Sequence, residues 1–150
     1  MMRVQYKVTF KKIFLRSAMV LYLFVTGCGD KSASHYYHCG SDHMMREEYD
    51  QAILCFDKAI KINPRFYMAY FERGTAYLSK GEYDLAISDY NKGIEIAPGH
   101  PMLHINRSVA YYYKGEYDKA WEDVHKAQSS GLQAQPEFLK KLREASGIEK

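Results

Sequence analysis

The sequence predicts an all-α protein built from stacked helix pairs, and three observations carry that prediction. The first is a 34-residue period: Tyr49, Tyr83 and Tyr117 are spaced by it, as are Ala52, Ala86 and Ala120, and Lys58, Lys92 and Lys126. The string Lys80-Gly81-Glu82-Tyr83-Asp84 returns unchanged as Lys114-Gly115-Glu116-Tyr117-Asp118. A fixed period of this length marks a repeat architecture in which neighbouring units bury one another's apolar faces. The second is helical spacing within each period. Tyr70, Gly74 and Tyr77 fall on one face, and Tyr83, Ala86, Ile87, Tyr90 and Ile94 on another. The third is punctuation. Gly81 and Gly115, and Pro64 and Pro98, keep the same period, with glycine at helix stops and proline where a helix cannot continue; Gly40 and Gly74 keep it as small residues within a helix.

Composition narrows the class further. The chain has 150 residues, 47% apolar and 26% charged, with 4 Pro and 10 Gly, which fits one globular domain. Three cysteines are too few to build a disulfide scaffold. The formal charge of +3 hides an asymmetry. Five basic residues (Arg3, Lys7, Lys11, Lys12, Arg16) precede Cys28 in a stretch without Asp or Glu. Taking five from 21 leaves 16 basic against 18 acidic residues, so the body carries −2. No basic surface for nucleic acid is expected.

Residues 1–27 read as an export signal. A basic head is followed by the apolar run Ala18-Met19-Val20-Leu21-Tyr22-Leu23-Phe24-Val25 and the small residues Thr26 and Gly27. The run is well short of the roughly 20 apolar residues that span a bilayer. Val25-Thr26-Gly27-Cys28 resembles a bacterial lipoprotein box, with Val25 where Leu is common. The resemblance implies that Cys28 becomes the lipidated first residue of the mature protein. It also implies anchoring to a membrane on the exported side of a bacterial cell envelope, inner or outer membrane left open. Residues 28–34 are small and polar and read as a tether.

The repeats resemble the tetratricopeptide repeat family, and the residues are assigned to a domain over 35–146 with units at 33–66, 67–100 and 101–134. The middle unit carries the pattern from Gly74 through Tyr77, Gly81, Tyr83, Ala86 and Tyr90 to Pro98. The third keeps Tyr111, Gly115, Tyr117, Ala120 and Ala127 but has Leu132 in place of the proline. The first matches in its second helix through Tyr49, Ala52, Phe56, Ala59 and Pro64. Its first helix has Cys39 and His43 at usually bulkier positions and Glu47 at the turn glycine, so it is expected to be short or frayed. A cap helix over 136–146 begins at Pro136 and ends before Gly147, with Phe138, Leu142 and Ala145 as its apolar face. The resemblance implies a right-handed helix-turn-helix solenoid of three units closed by that cap. It explains the 14 Tyr as packing residues opposite small ones.

Few residues suggest chemistry. His35, His38, Cys39, Asp42 and His43 have the donor types for zinc or copper. The expectation is nevertheless no metal and no cofactor, with the histidines solvated in a degenerate first repeat. Cys39 and Cys55 are expected as two buried free thiols, a disulfide being the alternative in an exported protein. Asp89 and Asp123, one period apart, are expected as surface residues and not as a catalytic pair. No phosphate loop, nucleophile elbow or H-E-x-x-H helix is present. The chain is therefore not expected to be an enzyme. Trp121 takes the place of Ile53 and Ile87 and is expected in the core.

The family resemblance implies a protein- or peptide-binding module whose first helices line a concave groove. Carrying that pattern over gives Tyr37, Ser41 and Met44 in the first unit, and Phe71, Thr75 and Leu78 in the second. The third contributes Met102, Ile105, Val109, Tyr112 and Tyr113. One subgroup of the family grips a terminal carboxylate with Lys, Asn and Arg. Here the corresponding positions hold Tyr37, Ser41, Glu72, Met102 and Asn106, so that clamp is not expected. The alternatives are an assembly factor acting by self-association or through its convex face, and a metal-binding protein using the His35–His43 cluster.

Overall fold

A computed structural model describes residues 32–147. Cys28, the export signal and most of the tether lie outside the described residues. The element order is α1 (Ala33–Met45), α2 (Tyr49–Ile62), α3 (Tyr67–Ser79), α4 (Tyr83–Ile96), α5 (Pro101–Tyr113), α6 (Tyr117–Ser129) and α7 (Pro136–Ser146). There is no strand among the described residues. None of these helices is long and apolar enough to cross a membrane.

Packing follows the period. Helices pair as α1 with α2, α3 with α4 and α5 with α6, while α2 packs on α3 and α4 on α5. The first helices also touch along the stack, α1 with α3 and α3 with α5, and so form an inner layer. Ala52, Ala86 and Ala120 are fully buried, as are Phe56, Tyr90 and Val124 at another equivalent position. Close approach fixes the small residues. A Cβ on Gly74 would lie 2.9 Å from the Tyr90 ring, and one on Gly40 would run into Phe56. Each buried aromatic ring is worth about 1.5–3 kcal/mol against exposure, so these alternating large and small positions hold the pairs together.

The recurrent string is a turn. Gly81 and Gly115 adopt φ of 78° and 76°, the left-handed conformation that closes a helix. The amides of Glu82 and Glu116 bond back to the carbonyls of Tyr77 and Tyr111. Lys80 reaches Asp50 of the preceding unit as well as Glu82, and Lys114 reaches Asp84 and Glu116 in the same way. Glu47 holds the equivalent turn of the first unit at φ 59°, and the Glu48 amide bonds to His43.

α1 corrects one expectation. It is neither short nor frayed: at 13 residues it matches α3 and α5, and the Ser32 side chain caps the His35 amide. Tertiary packing of Gly40 and Tyr37 on α2 and the following loop outweighs its weak local pattern. The cap helix starts at Pro136 and ends at Gly147 with φ 66°. Leu142 is its buried anchor, with Phe138 and Leu139 packed beside it. Ala145 is exposed, so Leu139 takes the place expected for it. Trp121 is buried, and its indole N–H donates to Ser146 at 3.2 Å.

Candidate functional site

The expected groove residues lie on the first helices of the three units, α1, α3 and α5, and they are not equally open. Met102 and Tyr113 are 39% and 57% exposed. Met44, Thr75 and Val109 are half-buried. Phe71 and Leu78 pack on the core around Tyr90 and Leu103, and Phe71 also faces His100 at 6.3 Å between ring centroids. Tyr37 lies against Phe56 and Phe66. Ile105 and Tyr112 pack toward the cap cluster, with the Tyr112 ring edge-on to Phe138 at 5.8 Å. The cap helix thus covers part of the third unit's contribution. Met68, equivalent to Met102 by the 34-residue period, is 38% exposed on the same layer, and that period was the signal that locates it.

A polar strand of contacts threads this face. Thr75 accepts from the Asn106 amide at 3.3 Å, shares a 3.2 Å hydrogen bond with the Tyr90 hydroxyl and donates to the Phe71 carbonyl. Burial pushes the Tyr90 phenol up to about 12, so it remains neutral. Glu72 is half-buried, and desolvation raises its carboxyl above the ordinary glutamate value. Burial, reinforced by Glu72, also raises the Tyr37 phenol.

A second row of contacts lies between the helices of each pair, and it overturns two expectations. Asp89 and Asp123 are buried, 5% and 1% exposed. Arg73 grips Asp89 with two hydrogen bonds, Nε to Oδ2 at 2.8 Å and Nη2 to Oδ1 at 2.6 Å. Its third nitrogen reaches Asp57 of the preceding unit at 2.5 Å. Arg107 repeats the arrangement on Asp123 at 2.7 Å and on Asn91 of the preceding unit at 2.5 Å. The His104 Nδ1 is 2.9 Å from the same Asp123. A carboxylate buried this deeply requires a fork of donors, and arginine supplies one. Burial disfavours the Arg73 charge, but its bonds to Asp89 and Asp57 outweigh this and raise its pKa. Burial raises the Asp89 carboxyl, with Arg73 opposing.

In the first unit the two equivalent positions are Cys39 and Cys55. They form a disulfide across 5.9 Å between Cα atoms, not two free thiols. The helix crossing sets that separation, which lies within the range a disulfide spans. The candidate donor cluster is also rearranged. His35 and His38 point outward as exposed residues and Asp42 is exposed. Only Cys39 and His43 of that group converge, and Cys55 joins them.

Comparison with known proteins places this geometry. A tetratricopeptide repeat model matches residues 40–101. The first repeat domain of Spaghetti (RPAP3), bound to an HSP90 peptide SRMEEVD, superposes with a TM-score of 0.71 at 20% identity, over 79% of this chain and 97% of that one. The TPR2B domain of yeast Sti1 in a complex with pHsp70 gives 0.65 at 23% identity, covering 77% and 90%. The crystal structure of MamA gives 0.65 at 32% identity, covering 82% of this chain and 66% of MamA. A search of curated protein sequences gives no match. Three helix pairs on one 34-residue period, turn glycines at φ near +77° and small-on-large contacts at Gly74 and Tyr90 agree with these likenesses. The chain belongs to the tetratricopeptide repeat family.

Proposed function

We propose that this chain is a non-catalytic interaction module, lipid-anchored through Cys28 at a bacterial envelope membrane, that holds an apolar segment of a protein partner on its inner layer. The observation that carries this reading is the row of Met68, Met102 and Tyr113, exposed beside half-buried Phe71, Leu78 and Val109. These positions and their neighbours on the same face include no Lys or Arg, and Glu72 supplies a negative charge. Solved members bound to HSP90 and Hsp70 partners support peptide capture as the class of activity. An acidic terminus such as that of SRMEEVD would meet no cation here. An extended or helical segment with hydrophobic anchors suits the face better, with weak salt dependence.

Photo-crosslinking from position 68 or 102 in native membranes tests the reading. Met68→Lys with Met102→Lys should abolish capture, while Leu54→Lys with Leu85→Lys should leave it intact. The second pair matters because Leu54 and Leu85, on second helices, are 59% and 48% exposed. That exposure favours self-association as the alternative, and loss of both capture and an oligomer in the second variant would establish it. For the anchor, Cys28→Ala should release the protein from membranes or leave its precursor uncut. Unchanged fractionation and migration would remove the lipid from the account.

A further inference from the structure

The first unit departs from its siblings at three positions together. Where the second unit has Arg73, Tyr77 and Asp89, and the third has Arg107, Tyr111 and Asp123, the first has Cys39, His43 and Cys55. All three replacements are soft or borderline metal donors, and the fold brings one donor atom of each within 4.8 Å of the others. The fourth member of the group did not change. Glu48 is equivalent to Glu82 and Glu116, and its carboxylate holds the His43 Nδ1 at 2.5 Å. A carboxylate on one ring nitrogen fixes the tautomer and aims the other nitrogen, the arrangement that supports histidine ligands to zinc. With Nδ1 engaged, Nε2 is the nitrogen left for a metal.

We propose that Cys39, His43 and Cys55 in the dithiol state form a zinc site that closes the first helix pair in place of the disulfide. A tetrahedral ion with bonds of about 2.3 Å to sulfur needs its ligand atoms about 3.8 Å apart, so the donors move only by side-chain rotation. Cys39 and His43 are half-buried and Cys55 is buried, which leaves the fourth position open to water on the accessible side. The chemistry balances in two steps. A dithiol reductant gives two electrons and two protons to the Cys39–Cys55 bond and leaves as its own disulfide. Zn²⁺ then displaces the two thiol protons and binds both thiolates and the neutral imidazole. The pair is held by a covalent bond when oxidised and by a metal when reduced.

The test uses the full chain, reduced with a phosphine, stripped of metal and kept from oxygen, and titrated with Co²⁺ as a spectroscopic probe. A thiolate-to-cobalt charge-transfer band should saturate at one equivalent and disappear on adding Zn²⁺. The oxidised chain should give no band. His43→Tyr restores the residue of the sibling units and so keeps the packing; it should weaken Zn²⁺ binding by at least about tenfold. Glu48→Gln should weaken it by about 10–100-fold, the usual cost of losing a carboxylate behind a histidine ligand. His35→Asn with His38→Asn should change nothing. No cobalt band in the reduced chain, equal binding by the oxidised chain, or undiminished affinity in His43→Tyr would each overturn the proposal.

Discussion

The first helix pair and the two that follow are joined at the same two positions by different chemistry. In the second and third units a buried aspartate takes a two-pronged arginine, and the arginine extends to the second helix of the preceding unit, α2 or α4. In the first unit a disulfide spans the positions. A cysteine pair ties its own two helices and requires nothing from a neighbour. The comparison teaches that the same crossing is linked in all three units, covalently in the first and by a charged pair in the other two.

Breaking the clamp in the third unit should have the largest effect. Asp123→Ala strips the partner from both Arg107 and buried His104. Leaving a buried charge network half-paired costs about 3–5 kcal/mol. Urea unfolding should show this as a lower midpoint, and a loss below about 1 kcal/mol would reduce the arginine fork to a surface contact.

Opening the first unit comes next. Reducing Cys39–Cys55 with a chelator present releases a 16-residue separation, for which the chain-entropy estimate is about 3 kcal/mol. If a unit needs only some link at this crossing, Cys39→Arg with Cys55→Asp should recover part of the loss under reducing conditions. A double variant no more stable than the reduced chain would show that the two clamps are not interchangeable.

Glu47 sharpens the comparison from the turn side. It occupies the left-handed position that its siblings give to Gly81 and Gly115, and such a conformation costs a residue with a Cβ about 1–2 kcal/mol. Glycine regains most of that but loses more chain entropy on folding, about 0.5–1 kcal/mol. Glu47→Gly should therefore stabilise by about 0.5–1 kcal/mol, visible as a rise in thermal midpoint. A lower midpoint would mean that the Glu47 side chain contributes an interaction worth more than the strain.

The smallest effect concerns pH. Desolvation raises the Glu72 carboxyl in the folded state. A raised carboxyl pKa means that the folded chain holds the proton more tightly than the unfolded one. Its penalty is full above the folded pKa and fades as pH falls through that value toward the unfolded one. Glu72→Gln should stabilise at neutral pH and match wild type in acid. Equal stability of the two chains at neutral pH would show that the carboxylate is adequately solvated.

Much of this was legible in sequence because a repeat states its rules several times. The alternation of small Gly74 and Ala86 with large Tyr77 and Tyr90, and the turn at Lys80-Gly81, could be read from spacing alone, while the contact of Tyr90 with Gly74 came from the structure. The proposed groove was legible only as a row of positions on the first helices. Sequence placed Tyr112 and Met102 in it together, but the cap helix covers one with Phe138 and leaves the other open. The buried aspartates were misjudged for a related reason. A charged residue on an amphipathic helix defaults to the solvent side, and nothing local to Asp89 announces an arginine 16 residues earlier on the facing helix.

The sequence by itself determined the 34-residue period, the helix pairs, their stops and the alternation of large and small side chains, because all of these are set by neighbours within a turn or two of the chain. Only the tertiary structure decided that Arg73 and Asp89 belong together and that Cys39, Cys55 and His43 share one crossing. It also decided which of the residues expected in a groove stay open. Those outcomes depend on the distance between helices, and that distance is fixed jointly by every side chain buried between them.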